Sequence, residues 1–250
     1  MKKLIVNADD FGITDGVSRG IVEAIETGVV CTTSALPCFP GAEEHLQRYA
    51  PGLKERIGAH LQLTAGIPCL PPDQVPSLVD GTGHFPRRPE NIGKPKEDEV
   101  YLEWRAQVQR LRSLGIEPTH LDTHHHVHKR PDLFPALFRL GRDLKLPVRT
   151  YDTDMTTALR RANIPCADFC LSTWYYPSPS PATLLELLKR AFEKLGGRGL
   201  IELMTHPGHA DPDLSRVSTY VLSRETEHHV LTSSELIRGL RNKDIALTHW

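Results

Sequence analysis

Leu4-Ile5-Val6-Asn7-Ala8-Asp9-Asp10-Phe11-Gly12 opens the chain with a short apolar run that passes directly into two adjacent carboxylates. An uninterrupted run of this kind suits a strand buried on both faces, as in a parallel sheet. The polar residues then fall at the strand's C-terminal end, where α/β barrels place their chemistry. A βαβ rhythm follows. Thr14 and Asp15 offer helix N-caps, Val17, Ile21, Ala24 and Ile25 recur at helical spacing, and Gly28 closes the helix. Residues 29–36 are β-rich and 43–49 suit a short helix. Residues 57–63 suit a strand with Ile57, Ala59, Leu61 and Leu63 on one face and His60 and Gln62 on the other.

Farther along, apolar spacing predicts helices over 98–114, 132–144, 181–195 and 233–241, and strands over 120–128, 148–151, 199–204 and 245–247. Residues 152–180 carry no clear pattern. About seven strands alternating with helices suit an irregular (β/α) barrel better than an open sheet. Residues 64–97 interrupt the rhythm: seven prolines and several glycines lie there without a periodic apolar face. A loop of that length in a compact domain is usually functional or disordered. We read it as a substrate-covering insertion within one domain spanning 1–250.

The totals exclude several classes. With 24% charged residues of mixed sign and a net charge of −1, nothing points to a polyanion, so no nucleic-acid partner is expected. The three apolar residues after Met1-Lys2-Lys3 fall short of the roughly 7–15 of a signal-peptide core. No stretch approaches the roughly 20 apolar residues of a membrane span. A cytoplasmic protein without a membrane partner is the expectation, and a homodimer stays open. The five cysteines are odd in number and contain no C-x-x-C pair, as befits reduced thiols.

The chemistry concentrates in His120-Leu121-Asp122-Thr123-His124-His125-His126-Val127-His128, which holds five of the thirteen histidines. On a strand, His120, Asp122, His124, His126 and His128 would share one side. Imidazoles repel one another when protonated, so packing five into nine residues favours a metal ion that holds them. A surface histidine cluster is the duller alternative. Asp9-Asp10 repel likewise unless a cation relieves them. One could bind metal and the other act as a base, or the pair could simply cap a helix. His60 and His206 each sit in or at the end of a strand-like run. His60 alone would more often be a core histidine, whereas Thr205-His206-Pro207-Gly208 at a strand exit gives His206 equal weight as a functional residue. Trp174, Tyr175 and Tyr176 could stack on a sugar or fill the core. Arg149, Asp152 and Asp154 could reach the site or belong to a solvated loop. The mixed nitrogen and oxygen donors do not choose between magnesium and zinc.

Together, Asn7-Ala8-Asp9-Asp10-Phe11-Gly12, Gly58-Ala59-His60-Leu61, the histidine stretch and Thr205-His206-Pro207-Gly208 resemble the YdjC-like carbohydrate deacetylases, including the chitooligosaccharide deacetylases. The resemblance runs in order over about the first 210 residues. It implies a distorted TIM-like barrel, one divalent metal ion and removal of acetyl groups from N-acetylated oligosaccharides. Carried over residue by residue, it implies Asp10, His60 and His124 as metal ligands, Asp9 as base and His206 as acid. Asp122, His126 and His128 would then support the ligands, and Trp174 and Tyr175 would meet the sugar. A phosphoesterase is the nearest rival and would want a second metal or a basic clamp, for which Lys129 and Arg130 are placed. A silent metal- or sugar-binding barrel would have no need of Asp9.

Overall fold

The structure is a computed structural model and describes residues 1–174 and 179–250. In chain order it contains β1 (Lys2–Phe11), α1 (Asp15–Thr27), β2 (Thr32–Ala35), α2 (Ala42–Tyr49), β3 (Ile57–Leu61), α3 (Glu97–Ser113), β4 (Leu121–Thr123), α4 (Phe134–Leu144), α5 (Thr153–Arg161), β5 (Phe169–Leu171), α6 (Pro181–Lys194), β6 (Gly199–Thr205), α7 (Leu214–Val217), α8 (Leu222–Leu231), α9 (Ser234–Asn242) and β7 (Ile245–Leu247). The strands run β4-β3-β2-β1-β6-β5, every neighbour parallel, and β7 pairs with Lys2–Leu4 of β1. The sheet is strongly curled into a half-barrel. The single Arg149 guanidinium reaches side chains on β1, β4 and β6, which a flat sheet would hold far apart. No helix among the described residues is long and apolar enough to cross a membrane.

β1 shows why the opening run is decisive. Leu4, Val6 and Ala8 join the apolar core, where α1 packs on β1. Each fully buried aliphatic side chain of Leu or Val size contributes about 1.5–3 kcal/mol. On the other face, Asn7 and Asp9 point into the curl. There Asn7 Nδ2 donates to Asp9 Oδ1 at 2.8 Å and to Ser34 Oγ at 3.1 Å. The inside of the half-barrel is therefore a hydrogen-bonded polar layer, and buried polar groups demand such partners.

Two strand expectations are corrected. The histidine stretch is a strand only over Leu121–Thr123. His124–Lys129 forms a tight 3₁₀-type turn in which His125 (φ 55°) and His126 (φ 49°) take left-handed backbone. The alternation expected over 120–128 therefore ends at Thr123. Residues 148–151 make one bridge, Leu121 to Val148, because the Val148 N–H donates to Pro165 O instead of to a neighbouring strand. The seventh strand is β5, within the stretch that carried no pattern.

Gly58 on β3 makes room for the buried His120. A Cβ there would lie 2.4 Å from the imidazole Cε1. The ring is held by Asn7 Oδ1 at 3.0 Å and Thr119 Oγ1 at 2.9 Å, so it cannot yield freely. Gly58→Ala is expected to cost about 1–3 kcal/mol by overpacking. Urea denaturation measures this, and unchanged stability would show that the ring moves aside.

Candidate active site

The C-terminal ends of the strands open into a cleft of about 1030 Å³. Asp9, Asp10, His60, His124 and His206 all line it, so the fold brings the resemblance-derived set together. Gly66, His84, Phe85, Arg87 and Arg88 of the 64–97 segment form part of its wall.

Asp10 sits at the end of β1 in left-handed backbone (φ 73°). Its Oδ2 accepts from Arg224 Nη2 at 2.6 Å. Its Oδ1 is buried and has no hydrogen-bond partner. That oxygen lies 3.4 Å from His60 Nε2 and 3.9 Å from His124 Nε2. Both imidazoles are anchored from behind. His60 Nδ1 donates to Asp122 Oδ1 at 2.7 Å, and His124 Nδ1 lies 3.1 Å from Thr64 Oγ1. Such partners fix the tautomer that leaves Nε2 as the ligand atom.

An orphaned carboxylate oxygen facing two imidazole nitrogens fits a divalent cation. Two His and one Asp also leave coordination positions open, as catalytic sites need. The local charge agrees. Burial pushes the His60 pKa down, but Asp122 and then Asp9 outweigh it and raise it to about 10. The carboxylates around His60 thus favour a positive charge on its ring. Burial lowers His124 to about 3 despite Asp10, which keeps that ring neutral and able to ligate. Asp9, His60 and Asp122 also cluster, but their contacts are already committed. Both Asp9 oxygens meet Arg149, while Asp122 meets His60 and Arg149. Asp10 Oδ1, by contrast, faces His60 Nε2 and His124 Nε2 without a hydrogen bond.

Asp9 stands beside this point, with Oδ2 3.9 Å from His60 Nε2. Arg149 grips it with two bonds, Nη1 to Oδ2 at 2.7 Å and Nη2 to Oδ1 at 2.8 Å. Burial raises the Asp9 pKa, but Arg149 and then His60 overcome it, and the carboxyl is held well below the ordinary range. Arg149 also contacts Asp122 Oδ2 at 2.8 Å and Glu202 Oε1 at 2.7 Å. Burial lifts Glu202 to about 7.

His206 follows β6. Its backbone N–H donates to Glu227 Oε2 at 2.8 Å, and Tyr220 Oη donates to Glu227 Oε1 at 2.5 Å. Burial lowers the His206 imidazole to about 4, although Asp10 and Asp9 oppose this.

Other residues fall differently. His126 lines the cleft. His128 is buried, with Nδ1 2.6 Å from Thr123 Oγ1, and does not line it. Of the three expected supporting residues, Asp122 is the one in contact with His60. The sugar-stacking expectation for Trp174 is corrected: the ring is fully buried, and its indole N–H donates to Met204 O at 3.0 Å. Tyr175 and Tyr176 lie outside the described residues. Asp152 caps α5, and Asp154 is exposed. Arg130 bonds Asp132 and the carbonyls of Ile92 and Gly93, and Lys129 lies 3.4 Å over the Tyr151 ring, so neither lines the cleft. Arg224 and Glu227 were not foreseen from sequence.

Fold and site define an α/β half-barrel that gathers carboxylates and imidazoles at its strand ends. The chain belongs to the YdjC-like protein family, whose model matches residues 3–242. It is 34% identical over 253 residues to a carbohydrate deacetylase of Thermoanaerobacter pseudethanolicus, covering 100% of this chain and 98% of that relative. The crystal structure of an Enterococcus faecalis V583 protein described as a cellobiose-phosphate cleavage protein matches with a TM-score of 0.88 and 36% identity. The match covers 99% of this chain and 97% of that one. A family 4 carbohydrate esterase from Streptomyces lividans shares the fold at TM-score 0.54 and 10% identity, covering 98% and 91% of the two chains.

Proposed function

We propose that this protein is a metal-dependent hydrolase that removes N-acetyl groups from N-acetylated oligosaccharides, with chitooligosaccharides such as diacetylchitobiose as substrates. The observation that carries this reading is the buried Asp10 Oδ1, without a hydrogen bond, facing His60 Nε2 and His124 Nε2 beside the Arg149-bound Asp9. The deacetylase relatives support it. When bound by Asp10, His60 and His124, a divalent ion such as magnesium or zinc supplies Lewis-acid polarisation of the acetyl carbonyl and acidifies water.

The chain's own groups do the rest. Asp9 takes a proton from the attacking water, and Arg149 holds its carboxylate ionised and fixed in orientation. Asp122 keeps the His60 proton on Nδ1. His206 delivers a proton to the amine nitrogen, because an unprotonated amide nitrogen leaves poorly. With its pKa lowered to about 4 by burial, His206 rests neutral, and the proton that reaches the amine nitrogen through it is one the attacking water gives up.

Arg87, Arg88 and Arg216 at the cleft wall favour a second reading, hydrolysis of a phosphoester. The test runs diacetylchitobiose and p-nitrophenyl phosphate side by side. Acetate release without phosphate release is the expected result. Phosphate release alone would replace this function with the second.

A further inference from the structure

Outside the cleft, a second group of donors meets on the surface where α1, the segment after β6 and α8 pack together. Glu23 comes from α1, His209 from the segment and His228 from α8. His209 Nε2 lies 2.6 Å from Glu23 Oε2, and His228 Nε2 lies 3.5 Å from the same oxygen. The two imidazole centroids are 4.7 Å apart. His228 Nε2 is buried, is aimed at the carboxylate and has no hydrogen-bond partner. Around the trio, Arg19 Nε approaches the other Glu23 oxygen at 3.9 Å.

The frame holding these donors is tight. The His209 N–H donates to Gly16 O at 3.1 Å, and the Gly208 N–H donates to Arg224 O at 3.3 Å. A Cβ on Gly20 would fall 2.8 Å from Gly208 Cα, so the segment lies directly on α1. Three elements distant in sequence thus aim two imidazole nitrogens and one carboxylate at one point.

We propose that Glu23, His209 and His228 form a second metal site, suited to zinc, that fastens α1, the segment after β6 and α8 to one another. Two His and one Glu are a zinc donor set, and a water completes the coordination because all three side chains are partly exposed. Binding requires His209 to carry its proton on Nδ1 instead of Nε2. The site is structural in effect. The elements it joins carry His206 and Arg224 to the cleft, and an ion bound only by the folded chain stabilises it by mass action.

The test uses the full chain, stripped with chelator and dialysed against low-micromolar zinc. Wild type is expected to hold one zinc ion per chain more than either His228→Gln or Glu23→Gln. Its zinc-dependent rise in Tm is expected to shrink in both variants. Zinc-soaked wild-type crystals are expected to show an anomalous peak among the three side chains, a readout that does not depend on how the variants fold. Equal zinc content in all three proteins, or an anomalous map empty at the trio, would overturn the proposal.

Discussion

Asp9→Asn is expected to lower acetate release by about 10²–10⁴-fold while the bound metal content stays at the wild-type level. The separation follows from geometry. Asp9 spends both oxygens on Arg149, whereas Asp10 Oδ1 faces the two imidazoles. An amide at position 9 keeps the shape but cannot accept a proton from water. Arg149 retains Asp122 and Glu202 as partners, so the fold is expected to persist. Turnover and metal analysis on one preparation check both halves. Near-normal turnover would move the base elsewhere, and lost metal would make Asp9 a ligand.

Arg149→Met is expected to cost about 3–5 kcal/mol of stability, because it strips the cation from a buried network and leaves charges uncompensated. For a chain of this size the loss corresponds to a drop in Tm on the order of 6–20 °C. Asp9, Asp122 and Glu202 would then crowd one buried space. The pH dependence has a definite sign. In wild type, Asp9 and Asp122 are depressed despite burial, with Arg149 the leading cause. They therefore contribute stability above their unfolded pKa that is lost on acidification. Without Arg149, burial and mutual repulsion raise them. The penalty is then absent below the unfolded pKa and grows as pH rises through the folded one. Thermal scans at about pH 5 and about pH 8 should show the larger deficit at the higher pH. A deficit below about 1 kcal/mol would mean that the carboxylates find other partners.

What was legible from sequence was local. Asp9, Asp10 and His60 lie on strands whose apolar neighbours announce the strand, and the C-terminal end of a parallel strand has a known use. His124 was found through family resemblance, while strand alternation failed beyond it because His125 and His126 turn left-handed. That conformation costs most residues about 1–2 kcal/mol and leaves no apolar periodicity to read. Arg149 was visible only as a residue that could reach the site. Its bond to Asp9 spans 140 positions. Arg224 was invisible for a more specific reason. The buried residues of α8 include Arg224 and Glu227, so the inward face of that helix is partly charged and apolar spacing does not mark it. β5 has only three residues, too few for a pattern.

On the proposed function, the cleft removes acetyl groups with the help of an ion held at Asp10, His60 and His124. The most direct test is acetate release from diacetylchitobiose by chelator-stripped protein as divalent metals are added back. We predict no release from the stripped protein and recovery on metal addition, with His60→Ala and His124→Ala failing to recover. Full-rate release from the stripped protein would contradict the account.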